Sequence, residues 1–257
     1  MGRDPATPSM RSLRAGADIG NGLRADGWAD DRVGGGHERA FRRSAPRVVV
    51  AGCPGAGKGT QGTRLARRLG VQHVSTGELL RDAIAVQSSL GRAVERLVRA
   101  GRLVPTGLIV AIVESHLATD GYVLDGFPRT VVQAEALLTR EALVPHVTIE
   151  IVVPTDVALA RLAARGRTDD DPGVARDRLA VYETETLPAL ALLDRLALLV
   201  RVDGDDLPHV VEQHVLQAFL RARRSDATLS PADLRAVTSA RDRSTVSVAA
   251  SANEAGL

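Results

Sequence analysis

The chain contains a single lysine, Lys58, near the end of a glycine-rich run: Gly52-Cys53-Pro54-Gly55-Ala56-Gly57-Lys58-Gly59-Thr60-Gln61. The spacing Gly-x-x-x-x-Gly-Lys suits a loop that cradles phosphate. Its glycines let successive backbone N–H groups converge on an anion, the following helix adds its positive N-terminal end, and the lysine reaches the β- and γ-phosphates. A chance glycine-rich turn is the competing reading. Position argues against it, because a β-branched run, Arg47–Ala51, precedes the loop and a helical pattern through Leu69 follows. The usual loop has Ser or Thr directly after its lysine as a Mg²⁺ ligand; here Gly59 intervenes before Thr60. That shift argues against GTPases and motor-type ATPases.

Further residues suited to phosphate follow along the chain. Asp125 ends a short apolar run, Tyr122–Leu124, and an acid at a strand's carboxyl end faces the crevice where doubly wound sheets bind ligands. Arg129, across Gly126-Phe127-Pro128, offers a planar fork for phosphate. Arg161, Arg165, Arg167 and Arg178 form a later cluster. An Arg-rich stretch is usually a solvated face. Arg178 resists that reading, because Val174 and Tyr182 lie one helical step either side and put it on an apolar stripe, where it needs an anionic partner. Taken singly, Asp125 could be a turn former and Arg81 a solvated helix residue; their order along one chain favours phosphate. Phosphoryl transfer demands positioning and charge neutralisation rather than a general base. His73, His116 and His146 are therefore read as structural or exposed, and Cys53 as a small filler of the loop rather than a redox switch.

These residues need a scaffold, and the hydrophobic pattern supplies one. Strands are expected at Arg47–Ala51, Gln72–Val74, Tyr122–Leu124, Val147–Val153 and Leu199–Val202. Helices are expected from the glycine loop to Leu69 and at Gly77–Val86, Leu90–Ala100, Leu108–Leu117, Val157–Arg165, Val174–Tyr182, Leu187–Leu196 and Pro208–Ala222. Strand–helix alternation with near-continuous apolar strands predicts an α/β fold, a five-stranded parallel sheet covered by helices on both faces. One domain is expected over about 46–222. Residues 1–45 and 223–257 lack lasting periodicity and read as disordered extensions, with a short helix near Pro231–Thr238 and an alternative start at Met10 both conceivable.

Composition excludes several classes. Of 257 residues, 44% are hydrophobic but only 2% aromatic, so the core must rest on Val, Leu, Ile and Ala. Basic and acidic residues number 33 and 31, and a net charge of +2 predicts neither nucleic-acid nor membrane binding. One cysteine excludes an internal disulfide and a multi-cysteine zinc site. No apolar run has the length of a membrane span, and no secretory apolar segment opens the chain. The Arg-rich N-terminal stretch carries Asp4, Asp18, Asp26, Asp30, Asp31 and Glu38, which transit peptides avoid, so a cytoplasmic location is expected.

The glycine loop resembles that of the nucleoside monophosphate kinases, and Gly52–Gln61 is similar to the adenylate kinase version almost letter for letter. Ser75–Arg81, Ala100–Pro105, Leu124–Thr130 with Gln133, Ala160–Asp170 and Arg201–Gly204 resemble further family segments in the same order, so the resemblance covers about 47–222. It implies a P-loop three-layer fold with an AMP-binding helical insertion at about 75–104 and a short lid at about 165–175. It also implies Mg²⁺-dependent phosphoryl transfer from ATP to AMP, giving two ADP, by a monomer without structural zinc.

By the same resemblance Gly55, Ala56, Gly57, Lys58, Gly59, Thr60, Arg161 and Gly204 bind ATP. Thr76, Gly77, Arg81, Arg102, Val104, Gly126, Arg129, Gln133, Arg167 and Arg178 bind AMP. Lys58, Arg129, Arg165, Arg167 and Arg178 act on the transferring phosphoryl group, and Asp125 holds Mg²⁺ through water. Asp169 and Asp170 hold the lid arginines. Thr76 and Thr130 stand where the related UMP/CMP kinases carry Ala and Asn, and Gln133 also favours adenine. Thr106 and Val132 depart from the family pattern at positions without assigned chemistry. A UMP/CMP kinase and a catalytically silent nucleotide-binding paralogue remain the alternatives.

Overall fold

A computed structural model describes residues 45–117, 121–140, 143–167 and 171–224, all within one unit, Gly36–Leu257. The expectations for residues 1–44 and 225–257, for the Pro231–Thr238 helix and for Asp169 and Asp170 lie outside the described residues.

Five strands form one sheet: β1 (Arg47–Ala51), β2 (Gln72–Ser75), β3 (Tyr122–Asp125), β4 (Val147–Val152) and β5 (Leu199–Asp203), in the order β2-β3-β1-β4-β5. Every pairing is parallel. Between them lie α1 (Lys58–Leu69), α2 (Thr76–Ala85), α3 (Ser89–Arg99), α4 (Thr106–His116), α5 (Val131–Leu138), α6 (Thr155–Arg165), α7 (Pro172–Val181) and α8 (Leu187–Arg195), with α9 (Pro208–Arg224) after β5.

The alternation of side chains along each strand divides the core into two faces. Val48 and Val50 of β1, Val123 of β3 and Ile149 and Ile151 of β4 pack with Leu65 of α1 and Val215 and Phe219 of α9. Val49, Tyr122 and Leu124 point the other way, against Leu80 of α2, Val94 of α3 and the Ile109–Val113 face of α4. Both faces are therefore covered, as a parallel sheet requires. Val48, Val49, Val123, Leu124, Ile149 and Ile151 are each at most 1% exposed; complete burial of such a side chain stabilises by about 1.5–3 kcal/mol. Aliphatic side chains thus supply the bulk that a 2% aromatic content cannot.

The register lines up the carboxyl ends of the central strands. Asp125 pairs with Val50 on one side and Ser75 on the other, while Ala51 pairs with Glu150. β1 sends its chain to β2 on one flank, and β3 sends its own to β4 on the other, so the crevice opens above these ends.

Three features differ from the sequence pattern. Helix α5 lies in a stretch to which the sequence pattern assigned no helix. Thr130 starts it by accepting the Gln133 N–H on its side-chain oxygen at 3.2 Å, and Ala134, Leu137 and Leu138 then bury. The break expected between Tyr182 and Leu187 is not a loop but a π-helical turn, Tyr182–Thr186, with Leu187 N–H bonded to the Tyr182 carbonyl. Pro188 lacks the N–H that an uninterrupted α-helix would direct to Thr184, and the wider turn absorbs the mismatch. Finally, Val174, Arg178 and Tyr182 form a half-buried flank of α7, whereas Ala175 and Leu179 face the core.

Candidate active site

The glycine loop joins β1 to α1, and two of its glycines are sterically required. Gly52 (φ +138) and Gly55 (φ +87) both have positive φ. A Cβ on Gly52 would stand 2.5 Å from the Ile151 carbonyl oxygen, and one on Gly55 would stand 2.3 Å from that of Ala158. At the start of α1, Gly57 provides no side-chain cap and the first turn holds no acid. Its leading N–H groups therefore present partial positive charge at the loop.

Lys58 Nζ donates to the Cys53 carbonyl at 2.8 Å. Burial depresses its pKa to about 8; Asp125 pulls it upward, while Arg129 and Arg178 push it down. Positive groups thus crowd the loop, with Asp125 the nearby acid that offsets them. The Asp125 side chain is 7% exposed and accepts from Ser75 Oγ at 3.4 Å; its backbone carbonyl accepts from Thr76 Oγ1 at 3.3 Å. Burial raises the Cys53 thiol, which suits an inert filler.

Arg129 is held along its length. Its Nε donates to the Gly126 carbonyl at 2.8 Å, its backbone N–H to Gln133 Oε1 at 2.8 Å, and its carbonyl accepts from Thr186 Oγ1 at 3.0 Å. Arg161, on α6, donates to the Gly204 carbonyl at 2.9 Å and lies 3.8 Å from Asp205. Arg178 packs its aliphatic stem on Gly101 (φ +67), where a Cβ would come within 2.7 Å of Arg178 Cγ. The helix bearing Arg178 therefore rests on the stretch that closes the expected AMP insertion.

Two adjoining spaces result. A cleft of about 800 Å³ is lined by Gly55–Thr60, Asp125, Arg161, Arg165, Arg167 and Gly204. A smaller pocket of about 60 Å³ is lined by Thr76, Leu80, Arg102, Val104, Ile109 and Gln133. Gly77, Arg81, Gly126, Arg129 and Arg178 line both. Every residue assigned by resemblance among the described ones thus falls on one space or the other. Arg167, expected on AMP and on the transferring phosphoryl group, lines only the larger.

Sequence reasoning did not anticipate Gln61, Tyr182 or Thr186, which also line the cleft. Gln61 is 3% exposed and donates from Nε2 to the Pro208 carbonyl at 2.9 Å, tying α1 to the start of α9. Tyr182 donates to Glu150 Oε1 at 2.6 Å, and Arg201 donates to Glu150 Oε2 at 3.0 Å. Partners this far apart in sequence leave no local pattern; the one available signal was Tyr182's place on the stripe with Arg178.

The model of the family described as adenylate kinase matches residues 50–196. Adenylate kinase of Nocardia farcinica (strain IFM 10152) is 43% identical over 185 residues, covering 68% of this chain and 99% of its own. That of Mycobacterium sp. (strain MCS) is 47% identical over 151 residues, 56% of this chain and 83% of the relative. That of Parasynechococcus marenigrum (strain WH8102) is 42% identical over 179 residues, 67% and 98%. With the match spanning glycine loop, arginine wall and π turn alike, the chain belongs to the adenylate kinase family.

Proposed function

We propose that this chain transfers the terminal phosphoryl group of ATP reversibly to AMP, giving two ADP and balancing the adenine nucleotide pool. One observation carries the reading: a cleft floored by a phosphate loop and a smaller pocket share the wall of Arg81, Arg129 and Arg178. Two anionic nucleotides bound either side of that wall would meet phosphate to phosphate.

In this reading ATP lies along Gly55–Thr60, its base between Arg161 and the backbone near Gly204, and AMP occupies the pocket of Thr76, Gly77, Arg81, Arg102, Val104 and Gln133. An AMP phosphate oxygen attacks the γ-phosphorus, the bond to the β–γ bridging oxygen breaks, and ADP leaves. No proton moves, so no general base is required. Lys58, Arg129, Arg165, Arg167 and Arg178 neutralise charge on the transferring group and hold the oxygens in line. Arg165 ends α6, Arg167 follows it, and both are exposed, the position of a short lid that folds over the phosphates and excludes water.

The residues present suit Mg²⁺ carried in with ATP. Asp125 offers a buried carboxylate oxygen at the cleft beside Gly59, whose Cβ position lies 3.6 Å from Asp125 Oδ2, and hard oxygen donors match this ion. Asp125 would hold it through water, and when bound it neutralises phosphate charge. The reading includes no structural zinc; among the described residues no group of three or more His, Cys, Asp or Glu side chains is placed to hold a metal ion.

We further read the protein as a cytoplasmic monomer without nucleic-acid or membrane partners, in keeping with its charge balance; no helix among the described residues is long and apolar enough to cross a membrane. A silent nucleotide-binding paralogue is disfavoured, because pure binding would not require the whole arginine set. The reading is tested by a coupled assay with ATP against AMP, GMP, CMP and UMP. AMP turnover with the others far slower supports it, and equal rates with UMP refute it.

A further inference from the structure

The helical run after the lid steps three side chains along one flank at four-residue spacing, and each makes a different connection. Arg178 faces the cleft, Tyr182 reaches Glu150 and Thr186 reaches Arg129. Thr184, midway between Tyr182 and Thr186 and exposed, shows what a helical threonine ordinarily does: its hydroxyl returns to the Ala180 carbonyl at 2.9 Å. Thr186 instead crosses 57 residues of sequence to the Arg129 carbonyl at 3.0 Å, although it is 7% exposed and sits in a helical turn. The π turn directs it there by adding a residue to the turn between Tyr182 and Leu187.

The other end of the turn is fixed as firmly. Glu150 is 4% exposed and lies on β4 beside Ala51, the last residue before the glycine loop. Tyr182 holds one of its oxygens and Arg201 the other, at 2.6 and 3.0 Å; Arg201 is in turn braced by Asp194 at 3.1 Å. The two ties therefore bind the π turn to the interior strand β4, beside the start of the ATP loop, and to the loop that presents Arg129. Arg178, one helical turn before Tyr182, inherits its place from both.

We propose that Thr186, supported by Tyr182, is a positioning residue for phosphoryl transfer: it sets Arg129 against Arg178 so that both guanidinium groups meet one phosphoryl group. The inference rests on the function proposed above. Thr186 touches no reacting atom and acts through Arg129. Misplacing a clamping group by about 1 Å costs on the order of 10²-fold in rate, so loss of this hydroxyl should appear in kcat more than in nucleotide binding.

The test uses the full chain and the ATP–AMP assay, with thermal melting recorded for every variant. Thr186→Val, which keeps the shape and loses the donor, should lower kcat about 10- to 100-fold with KM for ATP changed less than about 3-fold. Thr186→Ser, which restores the donor, should recover most of the rate. In an Arg129→Ala background, Thr186→Val should cost no more than about 2-fold further, since residues acting as a unit are not additive. Tyr182→Phe should shift kcat in the same direction. The proposal is overturned if Thr186→Val keeps kcat, if Ser fails to recover it, or if the losses at 129 and 186 multiply independently. Wild-type protein that phosphorylates AMP alongside any of these leaves the proposed function standing, whereas inactive wild-type protein overturns both.

Discussion

The Arg129 backbone N–H donates to Gln133 Oε1 at 2.8 Å, and this bond decides which end of the Gln133 amide faces the acceptor pocket. Only the carbonyl oxygen can accept from an N–H, so the amide orientation is fixed by its partner. The amide then presents an N–H donor beside an oxygen with one lone pair to spare. Adenine offers an acceptor next to its exocyclic amino donor, which matches. Guanine reverses the two, and turning the amide to suit it would set NH₂ against the Arg129 N–H.

From this arrangement AMP should exceed GMP and UMP by at least ~100-fold in kcat/KM, because mispaired buried polar groups are costly. Gln133→Glu keeps the acceptor for Arg129 and removes the donor to the base. It should lower kcat/KM for AMP by about 10- to 100-fold, on the order of 1–3 kcal/mol for one lost buried partner. Steady-state rates on the four monophosphates check both statements.

Lys58 gives a pH signature. Its pKa of about 8 reflects a cation buried among arginines; a bound triphosphate favours the charged form and raises it. At pH 8, where the free protein is half-protonated at Lys58, ATP binding should therefore take up about half a proton. Apparent ATP affinity should fall as pH rises above that value. Calorimetry in two buffers of different ionisation enthalpy measures the uptake. Absence of uptake, or uptake that persists in Lys58→Met, would contradict this assignment.

Much of this site was legible because its chemistry is local in sequence. Gly52 to Thr60 and Asp125 to Gln133 are two short continuous stretches, so spacing together with the family resemblance singled them out. The strands were legible because full burial makes them continuously apolar. Helix α5 was missed: it is only 8 residues long, and its burial against α8 comes from distant leucines, Leu190 and Leu193. The Tyr182–Glu150 and Thr186–Arg129 bonds were invisible, since their partners lie 32 and 57 residues away. Arg178 lines both spaces, and its stripe is a flank that packs on Gly101 rather than the buried face.

Arg167 separates binding from chemistry. It is exposed and lines the larger cleft, so it should meet phosphate mainly as the lid closes. Arg167→Ala should lower kcat by on the order of 10²–10⁴ with a smaller change in KM for ATP. Arg167→Lys should restore only part, because a point charge does not reproduce the planar fork. Melting temperature should hardly change, and kinetics paired with a thermal melt on the same samples decide the matter.

The N-terminal stretch and the residues after α9 are proposed to be dispensable. α9 reaches Arg224, whose neighbour Arg223 stands 5.9 Å over the Phe219 ring, so a chain trimmed to 46–224 keeps the whole helix. It should fold and retain activity within about 3-fold, because the sheet, both faces of the core and the cleft are built from those residues. Precipitation, or loss of most activity while the full chain works, would show that the ends take part.

The central claim is that one phosphoryl group passes directly between two adenine nucleotides bound on either side of Arg81, Arg129 and Arg178. Phosphorus NMR of the full chain with ATP, AMP and Mg²⁺ measures it most directly. The account predicts that ATP and AMP signals fall in equal amounts while two ADP appear for each pair consumed, with no free phosphate, and that ADP alone runs the reaction backwards. Release of inorganic phosphate with AMP unchanged, or no conversion at all, would contradict it.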